Sequence, residues 1–108
     1  MAALLLLGLV RTPSAAQAQH YRFERFGAAV GIEAVRTLAL DADAYLWAGT
    51  PGGLFRYDGA RATPVALPGQ PDAAVEHLAA GPGGGLWIHT RPGRLFYRPP
   101  GGRITPVG

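Results

Sequence analysis

The residues with chemical capacity are few and scattered. Asp41 and Asp43 stand two apart and offer oxygens of the kind Ca²⁺ takes, but Ala42, Ala44 and Tyr45 beside them add only backbone carbonyls. That segment therefore reads as a turn whose carboxylates accept nearby backbone N–H groups. His20, His77 and His89 are the only histidines, and no two have a metal-ligand spacing. Gly83–Gly85 lacks the Lys-Ser/Thr pair and following helix of a phosphate loop. Ser14, the single serine, sits in no nucleophile elbow. Asp58 with Asp41 would make a hydrolytic carboxylate pair only if the fold brought them together. Trp47 and Trp87 have faces that suit sugar stacking, but their repeated position reads as packing between structural units. The expectation is a non-enzymatic protein with no metal and no cofactor.

The elements that would position these residues are short. The chain has 108 residues, room for one small domain, and is 48% hydrophobic and 16% charged, which excludes a disordered polar chain. Its 16 Gly and 10 Pro favour short strands with tight turns over long helices. The absence of cysteine excludes disulfides and thiolate metal sites. The net charge of +3 comes from arginines scattered between Arg11 and Arg103, without the stripe a nucleic-acid binder gathers.

The N-terminal segment differs in kind. Ala2–Val10 is an unbroken apolar run, too short for a bilayer and suited to a signal-peptide core, although nothing basic precedes Ala2. Ala16-Gln17-Ala18 fits the small-x-small cleavage pattern. Residues 1–18 read as a signal peptide cleaved near Ala18, giving a periplasmic or secreted chain from Gln19 with no membrane-inserting segment of its own.

Shifting the chain by about forty residues aligns Ala34-Val35 with Ala74-Val75, Leu38-Ala39 with Leu78-Ala79, and Leu46-Trp47 with Leu86-Trp87. Thr50 then falls on Thr90, Gly53 on Gly93 and Tyr57 on Tyr97. A further slip of two aligns Thr63-Pro64-Val65 with Thr105-Pro106-Val107. Each repeat divides into runs of strand length bounded by Asp, Gly and Pro. The first predicts strands at Ala34–Leu40, Tyr45–Thr50, Leu54–Asp58 and Ala62–Leu67. The second predicts Ala74–Ala80, Leu86–Thr90, Arg94–Arg98 and Arg103–Val107. One strand, Tyr21–Phe26, is left over at the front, with Tyr21, Phe23 and Arg25 on one face.

Leu46-Trp47-Ala48-Gly49-Thr50, followed by Gly53-Leu54-Phe55-Arg56-Tyr57-Asp58-Gly59, resembles the repeat of the two-component regulator propeller family. Asp41 matches that repeat's Asp, while Ala44 stands where Gly is usual, which predicts a turn tolerating a side chain. The second copy keeps Leu86, Trp87, Thr90, Gly93 and Tyr97 but has Gly81 for the Asp and His89 for the Gly. The resemblance implies an all-β fold of two four-stranded propeller blades, about residues 33–70 and 73–108, in an incomplete ring. Tyr21–Phe26 would be the closing strand.

Family members are periplasmic sensor regions of hybrid sensor kinases and diguanylate cyclases. The resemblance therefore implies a non-catalytic exported piece of such a sensor, a fragment or truncated form. Its ring would receive a small-molecule, glycan or protein ligand through loops such as Pro51–Gly53 or Asp41–Ala44. Two blades alone leave apolar faces open, so further blades are expected as partners, from a longer chain or from other copies. The alternative is a small secreted lectin-like protein that oligomerises to close its ring.

Overall fold

A computed structural model describes residues 25–108; the expected signal peptide and Tyr21–Glu24 of the expected leading strand lie outside the described residues. Among the described residues eight strands form two open four-stranded antiparallel sheets, each ordered as the chain runs. The first sheet contains β1 (Thr37–Leu40), β2 (Leu46–Thr50), β3 (Gly53–Tyr57) and β4 (Ala62–Val65). The second contains β5 (Val75–Ala80), β6 (Leu86–Thr90), β7 (Arg94–Arg98) and β8 (Thr105–Pro106). The expected all-β class holds, and each expected four-strand unit is one sheet.

The strands are shorter than expected at several ends, for local reasons. Ala34 has a left-handed backbone (φ 57°), so β1 begins only after it, although the Arg36 N–H still donates to the Gly49 carbonyl at 2.8 Å. β4 ends at Val65, yet the chain beyond folds back so that Leu67 is fully buried.

The leading strand is a correction. Its described end, Arg25 and Phe26, belongs to a helical segment over residues 25–30. Phe26 and Val30 stand four apart and so share one helical face, and Gly31 in the left-handed region (φ 79°) ends the turn. Phe26, Val30, Ile32 and Val35 pack on Ala48, Leu38, Phe55 and Ala62, covering one face of the first sheet. Phe26 meets Tyr57 edge-on, with ring centres 5.4 Å apart.

The opposite face of the first sheet carries Ala39, Trp47 and Leu54 and packs on Leu78, Leu86, Ile88 and Phe96 of the second. The inner strands approach most closely. Gly49 permits this: a Cβ there would lie 2.5 Å from Val75 Cγ1 and 2.6 Å from Thr37 Cγ2. The Leu78 N–H donates across the interface to Thr37 Oγ1 at 3.2 Å, next to a bulge between Val75 and His77. β4 and segment 102–104, which leads into β8, instead flank a cleft.

The two central hairpins differ by one residue. Thr50 pairs with Gly53 around Pro51-Gly52, whereas Thr90 pairs with Arg94 around Arg91-Pro92-Gly93. One extra residue flips every later side chain to the other face. Tyr57 therefore lies opposite Leu46, while Tyr97 lies opposite Trp87. The two tyrosines aligned in sequence are not structural equivalents, and the counterpart of Tyr97 is Arg56, opposite Trp47.

Candidate functional site

The first repeat's motif residues converge on Asp41. One carboxylate oxygen accepts the backbone N–H groups of Asp43 (2.9 Å) and Tyr45 (3.0 Å), which builds the β1–β2 turn. The other accepts the Trp47 indole N–H at 2.8 Å. Arg98, reaching over from β7, places Nη1 3.7 Å from that same oxygen and its guanidinium 5.2 Å from the centre of the Trp47 ring. The Asp41 side chain is 1% exposed and that of Arg98 10%. Burial alone would raise the Asp41 pKa. The indole donor, the Tyr45 and Asp43 amides and the Arg98 charge outweigh it and hold the carboxyl below its ordinary value. Asp41 is thus a structural hub joining a turn, a core tryptophan and the neighbouring sheet.

The remaining motif residues serve turns and core. Thr50 Oγ1 donates to the Gly53 carbonyl at 3.0 Å and accepts the Gly52 N–H at 3.1 Å. Thr90 Oγ1 contacts the Arg94 carbonyl at 3.4 Å and Gln70 Oε1 at 3.3 Å. Asp58 accepts the Ala60 and Arg61 N–H groups at 2.9 and 2.8 Å, and the Arg61 and Ala60 bonds lower its pKa. Gly59 and Gly93 lie in the left-handed region, and the Tyr57 hydroxyl donates to the Gly59 carbonyl at 2.8 Å. Leu54 and Leu86 are buried between the sheets, and Leu46 is half-buried. Asp41 and Asp58 share no partner, each carboxylate being committed to its own turn.

The second repeat keeps the turn but lacks the hub. The Gly81 N–H donates to the Gly85 carbonyl and the Gly84 N–H to the Gly81 carbonyl, as the Asp41 N–H does to Tyr45 and the Ala44 N–H to Asp41. The backbone bonds are the same and the carboxylate is missing. Trp87, 36% exposed against 2% for Trp47, packs on Tyr97 with ring centres 4.5 Å apart. Around it lie exposed Leu95 and Val107 and the cross-strand pair His77–His89, stacked 5.8 Å apart. Among the described residues nothing covers this face, although its first-sheet counterpart is buried.

Sequence reasoning did not single out Arg98, Arg56 or Arg103. These three line a cleft of about 480 Å³ between β4 and segment 102–104, together with Trp47, Pro64, Val65, Pro68 and Ile104. Arg56 lies over Tyr45 at 4.5 Å and over Trp47 at 5.7 Å. No repeat alignment signals Arg98: a shift of two residues keeps side chains on one face, whereas Arg98 is turned inward by the single extra residue of the Arg91-Pro92-Gly93 turn. Of the loops expected to meet a ligand, Pro51-Gly52 borders a separate cleft with Gly31–Ala34 and Phe55. Asp41–Ala44 instead abuts the second sheet, where a Cβ on Gly84 would collide with Ala42. Among the described residues no group of three or more His, Asp or Glu side chains gathers around a point.

Compared with family models, with curated proteins and with solved structures, the chain matches none.

Proposed function

We propose that the two sheets are consecutive blades of an exported, non-catalytic sensor propeller, of the kind that serves membrane-bound two-component or cyclic-di-GMP signalling proteins. Further blades would complete the ring, and a ligand binding there would alter the signal passed on. The reading draws on the forty-residue repeat, the identical strand order of the two sheets and their shared core. The observation that carries it is the uncovered face around Trp87. Trp47 occupies the same place in its own sheet and is buried by the sheet that follows, so Trp87 lacks the neighbour that the repeat supplies once already.

Light scattering on the full chain tests this. A sheet face of this kind left open makes the chain self-associate without a fixed size as concentration rises, and Trp87→Arg suppresses that association. A discrete closed oligomer such as a trimer favours instead the lectin-like protein that completes its own ring, since the same open face would then be its subunit contact. A monomer at every concentration, with Trp87→Arg making no difference, contradicts both. For the exported location, N-terminal sequencing of protein recovered outside the cytoplasm is expected to start near Gln19; Met1 retained on cytoplasmic protein overturns it.

A further inference from the structure

The cleft between β4 and segment 102–104 joins two features. The first is Arg98 Nη1, buried yet without a hydrogen-bond partner, its closest carboxylate being Asp41 at 3.7 Å. A buried guanidinium donor left unbonded is costly. Asp41 Oδ1 accepts the two amides and Oδ2 the indole, and Arg98 stands 3.7 Å from Oδ2 as an ion pair beyond hydrogen-bonding distance. The second is the charge of the lining. Arg56 and Arg103 line the same cleft as Arg98, no acidic side chain does, and neither has a carboxylate partner among the described residues.

We propose that this cleft binds an organic carboxylate, its anionic end held by Arg98 with Arg56 and Arg103 and its body lying against Trp47 and the apolar wall. The flat, forked guanidinium matches a carboxylate in a bidentate manner. The volume is that of a small-molecule site. Pro64, Val65, Pro68 and Ile104 give the ligand's body a surface that a bare inorganic anion would leave unused. The proposal is independent of the sensor reading, because the described residues that line the cleft all lie within the two repeats.

The test uses benzoate as probe, with benzyl alcohol as its neutral analogue and sulfate as a bare anion, on the dilute ¹⁵N-labelled full chain. The Trp47 indole N–H signal, distinguished from that of Trp87 by the Trp87→Phe variant, reports from the lining of the cleft. Benzoate is expected to shift it saturably, and benzyl alcohol and sulfate are not. Arg98→Met should weaken benzoate about tenfold, as for loss of a hydrogen bond to a charged group. Should Arg98→Met fail to fold, the double variant Arg56→Gln/Arg103→Gln changes less buried side chains and should weaken benzoate several-fold. No saturable shift, an equal shift with benzyl alcohol or with sulfate, or unchanged affinity in the double variant overturns the proposal.

Discussion

The two sheets grow from one repeat and end in opposite situations. In the first, Asp41 ties its turn to Trp47, and both faces are covered, one by residues 26–35 and the other by the second sheet. In the second, Gly81 leaves the turn backbone intact and Trp87 without a hydrogen-bonding carboxylate, on a face that nothing covers among the described residues. The difference separates two roles that the motif combines. Backbone hydrogen bonds alone suffice to make the turn, whereas the Asp side chain fixes the tryptophan and meets the next sheet's arginine.

That contrast breaks most severely at Asp41. Asp41→Ala removes three accepted hydrogen bonds and leaves the Arg98 charge buried without a carboxylate, so it should destabilise the chain by about 3–5 kcal/mol, read by urea unfolding. Acid should act on the same group. Its folded pKa lies below the unfolded value of 3.8, so its contribution is full well above pH 3.8 and is lost as pH falls through the folded pKa. Unfolding midpoints followed downward from about pH 5 should therefore drop, and less so in Asp41→Asn.

The next largest effect concerns the close approach of the sheets. Gly49→Ala drives a methyl into Val75 and Thr37 and should cost about 1–3 kcal/mol. The aligned position, His89, lies on the open face, so His89→Ala should change stability by less than about 0.5 kcal/mol.

Installing the missing hub sharpens the comparison. Gly81 has an ordinary backbone (φ −89°), and a Cβ there would sit 3.2 Å from Trp87 Nε1, close to the indole an Asp would need to reach. Gly81→Asp should stabilise the second sheet by about 0.5–1 kcal/mol, with Trp87 giving way slightly. A further small effect is expected at Ala44, whose φ of 66° is the left-handed conformation that its counterpart Gly84 adopts without strain. The turn holds Ala44 in that conformation, and Ala44→Gly should raise stability by up to about 1 kcal/mol.

The strands and the forty-residue repeat were legible because β-branched and aromatic runs alternate with Asp, Gly and Pro turns. The roles of Asp41 and Trp47 were legible as a turn and a packed core. What escaped depended on single residues. The extra residue between Thr90 and Arg94 rotates Tyr97 to the Trp87 face and Arg98 to the inner one, a difference that an alignment on Tyr57 and Tyr97 conceals. The helical segment over 25–30 was hidden because Tyr21, Phe23 and Arg25 alternate as a strand would, while Phe26 and Val30 with Gly31 carry the helical signal. The arginine cleft needs β3, β7 and the segment after β7 brought together, and no local pattern announces that.

Acrylamide quenching of the two single-tryptophan proteins, Trp87→Phe and Trp47→Phe, measured on dilute chain, tests the contrast most directly. Trp47 should be shielded and emit at short wavelength, and Trp87 should be readily quenched until the chain associates. Equal protection of both tryptophans in the dilute monomer would contradict the claim that the Trp87 face is uncovered while that of Trp47 is buried.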